Sequence, residues 1–317
     1  MPGLTHAGFT PGTDFLLPFH IPNLGVHGRL VRLGPALDAM LAPHRYPQAV
    51  ATVMAECTVL AVALAGGLKY DGIFSLQISS DGPAGLLVAD VTSEGAIRGY
   101  ARADADDAVW RDMPVPTPLP LVLGAGHMAF TIDQGPDTER YQGITDLAGA
   151  SMAECAEHYF RQSEQLLTAV RMASAAAGGA GHASDRPARG GAMVLQRLPR
   201  HGGHPVVAND DADADDAWQR AVIFVASLSD SELLDPSLAP EQVLNRLFHQ
   251  DDLTIENRRP LVHACRCSRE RVAMTLRSFP KDEIDSFKID GRVEVTCEFC
   301  KAVYDFDELA LARLFKP

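Results

Sequence analysis

The sequence predicts an α+β protein in three parts. These are an N-terminal meander β-sheet domain with long helices over 1–199, an acidic loop and helical linker over 200–257, and a small C-terminal domain over 258–317. Three observations carry this. Residues 73–102 alternate apolar and polar positions between turn signals, 46–68 repeats apolar residues at helical spacing, and four of the six cysteines fall after residue 263.

The elements follow in chain order. Val26, Gly28, Leu30 and Leu33 alternate with polar residues, so 13–33 reads as strands around a Pro/Gly turn at 22–25. From Tyr46 to Leu68, Val50, Val53, Met54, Cys57, Leu60 and Leu64 share a helical stripe that Gly66-Gly67 ends. In "IFSLQISSDGPAGLLVADVTSEGAIRGYAR" (73–102), Asp81-Gly82-Pro83 and Glu94-Gly95 separate three strands, and strand patterns recur at 126–133 and 139–145. Ser151 with Glu154 forms a capping-box signature. It opens a long helix whose expected stripe is Met152, Cys155, Tyr159, Leu166 and Val170. "AAAGGAGHASDRPARGG" (175–191) reads as a flexible loop and 192–199 as a strand returning to the sheet. The polar stretch 200–217, ending in "NDDADADD", looks like a domain boundary. Helical patterns follow at 218–234 and 240–249, the first rich in Trp218, Val222, Ile223, Phe224, Val225 and Leu228.

Bulk properties narrow the function. A formal charge of −13 opposes nucleic acid as a partner of the whole chain. No basic segment followed by an apolar run opens the chain, and no run of about 18 apolar residues suggests a membrane span. A cytoplasmic location is therefore expected, where thiols are kept reduced and clustered cysteines read as metal-binding or redox-active.

Cys265-x-Cys267 in "HACRCSRER" and Cys297-x-x-Cys300 in "TCEFCK" supply four thiolates in two close pairs. Zinc takes four soft ligands tetrahedrally, so one Zn2+ per chain is expected on these four cysteines. A unit of some 60 residues with few large apolar groups needs such a staple, and structural zinc contributes on the order of 10 kcal/mol to folding. His263 is an alternative ligand that four thiolates make unnecessary. Ser268 is a candidate N-cap for a helix over 269–279, and thiolates near a helix start are both favoured and reactive. Each pair is close enough in sequence to form a disulfide where the chain turns suitably, so the same residues can be a closed metal site when reduced and two disulfides when oxidised. Cys57 and Cys155 lie on the apolar stripes of expected helices and read as buried structural thiols.

At these residues the chain resembles the heat shock protein 33 family of redox-regulated chaperones. The CxC and CxxC pairs resemble that family's zinc and redox centre, with "CSRERV" (267–272) and "VTCEFC" (295–300) as flanking motifs. The resemblance extends through "LQISSDGPAGLLVADVTSEGAIRGYAR" (76–102), "TIDQG" (131–135), "ERYQGI" (139–144), "EHYFRQSEQL" (157–166) and "VLQRLP" (194–199). It implies an ATP-independent holdase, not an enzyme, that is inactive and monomeric when reduced and zinc-bound. When oxidised and zinc-free it would bind unfolding clients, dimerise, and hand clients to ATP-dependent foldases. Lys301 departs from the family, many of whose members have glycine after the second pair.

The residues suggest how such a switch would work. The apolar stretch 218–249 would pack on the N-terminal sheet while the zinc module anchors it, and would expose Trp218, Phe224 and Leu228 as client-binding surface when the module unfolds. Two other readings compete. A zinc-ribbon nucleic-acid binder finds some support in the mildly basic end region 258–317, with Arg266, Arg269, Arg271 and Arg277 close together, but the −15 on the remainder would oppose binding. A thiol-disulfide oxidoreductase finds support in Cys297-Glu298-Phe299-Cys300, which lacks the surrounding βαβ pattern. No phosphate loop, nucleophile elbow or HExxH helix is present.

Overall fold

The structure, a computed structural model of the 317-residue chain, describes residues 13–104, 106–135, 138–175, 187–198 and 211–315. The loop expected over 175–191 falls mostly outside these, as does most of the polar stretch before 211. The chain divides into two compact units, one ending at His263 and the other beginning at Ala264.

The first unit opens with β1 (Phe15–Ile21), β2 (Val26–Leu33), α1 (Pro35–Leu41) and α2 (Gln48–Ala65). The meander β3 (Ile73–Ser80), β4 (Ala84–Thr92) and β5 (Ala96–Ala103) follows, then α3 (Leu119–Leu123), β6 (Gly126–Asp133) and β7 (Tyr141–Asp146). Next come α4 (Met152–Tyr159), β8 (Thr168–Ala175) and β9 (Arg189–Arg197). The unit closes with α5 (Asp211–Ala226), α6 (Asp230–Leu234), α7 (Pro240–Phe248), and the short strands β10 (Thr254–Ile255), β11 (Arg259–Pro260) and β12 (Val262–His263).

These strands form two sheets where the sequence suggested one. The meander sheet runs β12-β5-β4-β3-β6-β7; the other runs β10-β1-β2-β9-β8, with β11 also on β1. The strand expected at 192–199 therefore joins β2 and β8, not the meander. Helix α2 packs against strands of both sheets, which explains why it is apolar nearly all round. By length and composition it could cross a membrane, contrary to the expectation that no such run exists, but most of it is buried in this core.

The β1–β2–β9 sheet is covered on both faces. Leu16, Val31, Ala192 and Val194 join the core around α2. On the opposite face Phe15, Leu17, Phe19, Leu30, Met193 and Leu195 pack with Trp218, Ala221, Val225, Leu233, Val243, Leu244 and Phe248 of α5–α7. Two arginines pin this helical layer to the sheet. Buried Arg32 donates to the carbonyl oxygens of Glu232 (2.8 Å), Leu233 (2.8 Å) and Leu238. Arg171 donates to the Leu228 carbonyl at 2.9 Å and pairs with Asp230.

Two local readings change. The helix from Ser151 stops at Tyr159, passes through a π turn, and ends with Gln165 in the left-handed region at φ 53°. Val170 then lies in β8 opposite Val194 instead of on the helical stripe. The acidic residues Asp213, Asp215 and Asp216 lie within α5 instead of in a boundary loop.

The second unit contains α8 (Arg269–Arg277), α9 (Lys281–Ser286), the hairpin β13 (Val293–Thr296) and β14 (Val303–Phe306), and α10 (Glu308–Leu314). Its core is Leu276, Ile284, Val293, Phe306 and Leu311, with the Arg269 guanidinium 4.4 Å over the Phe306 ring.

Candidate metal centre

The CxC pair precedes α8. Ser268, next after Cys267, caps that helix by accepting from the Arg271 N–H at 3.2 Å. This holds Cys267 at the positive end of the helix, where thiolate is favoured. The CxxC pair sits on the turn between β13 and β14. The Cys297 N–H donates to the Ala302 carbonyl and the Lys301 N–H to the Cys297 carbonyl, both at 2.8 Å, which wraps the turn around the two sulfurs. That wrap needs a left-handed residue at its end, and Lys301 supplies it with φ 57°. Its Nζ pairs with Glu298 at 2.6 Å.

The two motifs bring all four sulfurs within 4.8 Å of one another. Cys265 and Cys297 Sγ are 3.7 Å apart, Cys267 and Cys300 Sγ 3.4 Å. A tetrahedral ion with Zn–S bonds of about 2.3 Å sets sulfurs about 3.8 Å apart. The donor set therefore fits one ion held by Cys265, Cys267, Cys297 and Cys300, and among the described residues no other group gathers in this way. His263 ends β12 in the first unit, paired with Ile97, and is not part of the group.

Crowding divides the protons unevenly. Partial burial pushes the Cys265 thiol up, but the Cys267 backbone N–H and the neighbouring thiols donate to its sulfur and bring its pKa below the ordinary thiol value. Burial raises Cys267, against the pull of a hydrogen bond from Tyr304. Burial and the proton shared with Cys267 and Cys265 push Cys300 well up. One sulfur thus carries charge most easily while its neighbours donate to it; a bound cation would deprotonate the whole set.

The remaining expected residues lie apart from this centre. Cys57 and Cys155 are buried in the core around α2, and burial pushes both thiols up. Trp218 and Leu228 are buried against the β1–β2–β9 sheet, with Phe224 packed beside them, its ring 5.9 Å from that of Phe248. Sequence reasoning did not single out the apolar sheet face beneath them, since "FLLPF" shows no alternation when both faces are covered. It also passed over Tyr304, whose hydroxyl donates to Cys267 Sγ at 3.0 Å and whose own proton that bond holds.

Comparison with known proteins bears on the whole chain. Residues 14–307 match the family described as Hsp33 protein. A protein named 33 kDa chaperonin from Caulobacter vibrioides is 37% identical over 298 residues, covering 93% of this chain and 95% of its own length. Another 33 kDa chaperonin, from Pseudomonas putida, is 36% identical over 307 residues, with 96% and 94% covered. The crystal structure of a 33 kDa chaperonin (heat shock protein 33 homolog) from Thermotoga maritima has the same fold. Its TM-score is 0.79 at 21% identity, over 96% of this chain and 98% of that one.

Proposed function

The chain belongs to the Hsp33 family, and from that membership we propose that it is a redox-regulated, ATP-independent holdase, inert when reduced. The relatives' name, 33 kDa chaperonin, supports a chaperone. The observation that carries the switch is the gathering of four sulfurs within 4.8 Å in a unit with so small an apolar core.

Soft thiolate donors at tetrahedral spacing favour Zn2+, which when bound supplies the small unit with its main stabilisation. Peroxide accepts two electrons from a pair of thiolates: one S–S bond forms, the O–O bond breaks, and the two hydroxides released take two protons from the buffer to become two molecules of water. We assign the disulfides to Cys265 with Cys267 and Cys297 with Cys300. The shortest sulfur distances cross the motifs, but only pairs two or three residues apart stay together once the unit loosens. The domains of this scheme are the chaperone core 1–199, the linker 200–257 and the switch 258–317. Loss of order in the switch would spread to α5–α7, exposing Trp218, Phe224 and Leu228 together with the sheet face they cover. Unfolding proteins would bind there. The oxidised protein would dimerise and the reduced one remain a monomer, in the cytoplasm, with clients passed to ATP-dependent foldases. No membrane, nucleic acid or catalysed reaction is part of this function.

The test measures zinc content and suppression of client aggregation on one sample, before and after peroxide under mildly unfolding conditions. About one zinc and no activity should become no zinc and full activity without ATP, and dithiothreitol with zinc should reverse both. Equal activity in the two states would leave a chaperone without a switch. Insulin reduction or salt-sensitive nucleic-acid binding would favour the oxidoreductase or zinc-ribbon reading.

A further inference from the structure

Tyr304 links the two halves of the thiol centre from outside the ligand set. It stands on β14 opposite Val295 of β13, and its ring packs against the core of the small unit. From there its hydroxyl reaches across to the other motif and donates to Cys267 Sγ at 3.0 Å. Cys267 is also the sulfur beside the capped start of α8 and the one closest to Cys300.

We propose that Tyr304 is a positioning residue that restrains the Cys267 sulfur, making it less reactive toward electrophiles than the other three. The inference deepens the reading of this cluster as a thiolate metal centre and rests on it. A sulfur that accepts a hydrogen bond offers less electron density to an attacking carbon or oxygen, and outer partners of this kind are worth roughly tenfold or more in the properties of a centre. The ring is fixed by the hairpin, so the donor is already in place when the sulfur is reduced. With the Cys267 sulfur alone, among the described residues, held by a side-chain hydroxyl, oxidation would begin away from Cys267. Peroxide would oxidise the Cys265 thiolate to a sulfenic acid, the O–O bond breaking and hydroxide leaving; attack of Cys267 on that sulfur would then form the Cys265–Cys267 bond, the S–O bond breaking and hydroxide leaving with the electron pair.

Tyr304→Phe keeps the ring and removes the donor. Reduced, zinc-loaded full-length protein is treated with limiting iodoacetamide; an S–C bond forms at cysteine, the C–I bond breaks and iodide leaves with the electron pair. Peptide mass spectrometry reads the ratio of labelled Cys267 to labelled Cys297. The expected result is a ratio raised by about tenfold in Tyr304→Phe, with labelling of Cys297 unchanged within about twofold. An unchanged ratio, or all four cysteines rising together as they would in a loosened unit, overturns the proposal. Should Tyr304→Phe not retain zinc, 3-fluorotyrosine at 304 decides the matter: the more acidic hydroxyl should lower the ratio below the wild-type value, and no change overturns it. Retention of zinc by wild-type protein in peroxide would defeat the redox reading instead, while the alkylation ratio still decides the role of Tyr304.

Discussion

In the larger unit, α2 buries Val50, Met54, Cys57, Leu60 and Leu64 between two sheets, and a second apolar core lies beyond one of those sheets. In the smaller unit, among the described residues, the buried core is Leu276, Ile284, Val293, Phe306 and Leu311. Each large buried side chain contributes about 1.5–3 kcal/mol, so the first unit can stand on apolar burial and the second stands near the limit of what a small domain can manage. The cysteines repeat the contrast. Cys57 and Cys155 are sealed in apolar surroundings that keep the thiol protonated, whereas the four of the small unit share protons at an accessible cluster. Stability built on burial responds to temperature and solvent. Stability built on thiolates also responds to oxidants, and only that kind can be removed by chemistry.

The largest effect should come from removing the zinc proposed for the small unit. Chelation of the reduced protein, or Cys297→Ser, should cost on the order of 10 kcal/mol, more than a unit of this size holds. Peptide-resolved hydrogen exchange should show protection lost over 264–315 and kept over 48–65. Cys57→Ser should leave zinc content unchanged. Uniform loss of protection across 46–170 would erase the distinction between the units.

A smaller effect should separate α5–α7 from the sheet they cover. Arg32 satisfies the carbonyls of Glu232 and Leu233 in α6 and that of Leu238, so Arg32→Ala leaves three backbone acceptors without their donor. The expected cost is about 3 kcal/mol. It should appear as faster exchange over 230–248 and as aggregation suppression by protein that is still reduced and zinc-loaded. Unchanged exchange there would mean that apolar packing alone holds the layer, and that the second core resembles the first.

Much of this contrast was legible beforehand. Cys265, Cys267, Cys297 and Cys300 announce their gathering by spacing, and Ser268 announces its cap by position, because both signals are local. The strands β3, β4 and β5 show themselves by alternation over one covered face. What failed was information carried by other parts of the chain. Val170 fits a helical stripe as well as a strand, and pairing with β9 decides between them. The acidic run before Trp218 resembles a loop until the packing of Ala221 and Val225 draws it into α5. Phe15, Leu17 and Phe19 have partners some 200 residues later, and Tyr304 meets Cys267 across 37 positions, so neither has a local signature.

The smallest expected effect concerns a single backbone angle in the turn that carries Cys297 and Cys300. Lys301 holds φ 57°, and for a residue with a Cβ the left-handed region costs roughly 1–2 kcal/mol that glycine does not incur. Lys301→Gly should therefore relieve strain at the point where the turn closes on Cys297. Against this stand the greater freedom of glycine in the unfolded chain and the loss of the half-exposed pair with Glu298, each worth less than about 1 kcal/mol. The net expectation is a gain of about 0.5–1 kcal/mol in the zinc-loaded small unit. It should be read as slower exchange over 297–306 with no change over 48–65. Lys301→Ala separates the causes, since it loses the same ion pair but keeps the Cβ. It should be neutral or slightly destabilising. If alanine stabilised the unit as much as glycine, the left-handed turn would carry no strain, and the departure at this position would concern only the side chain.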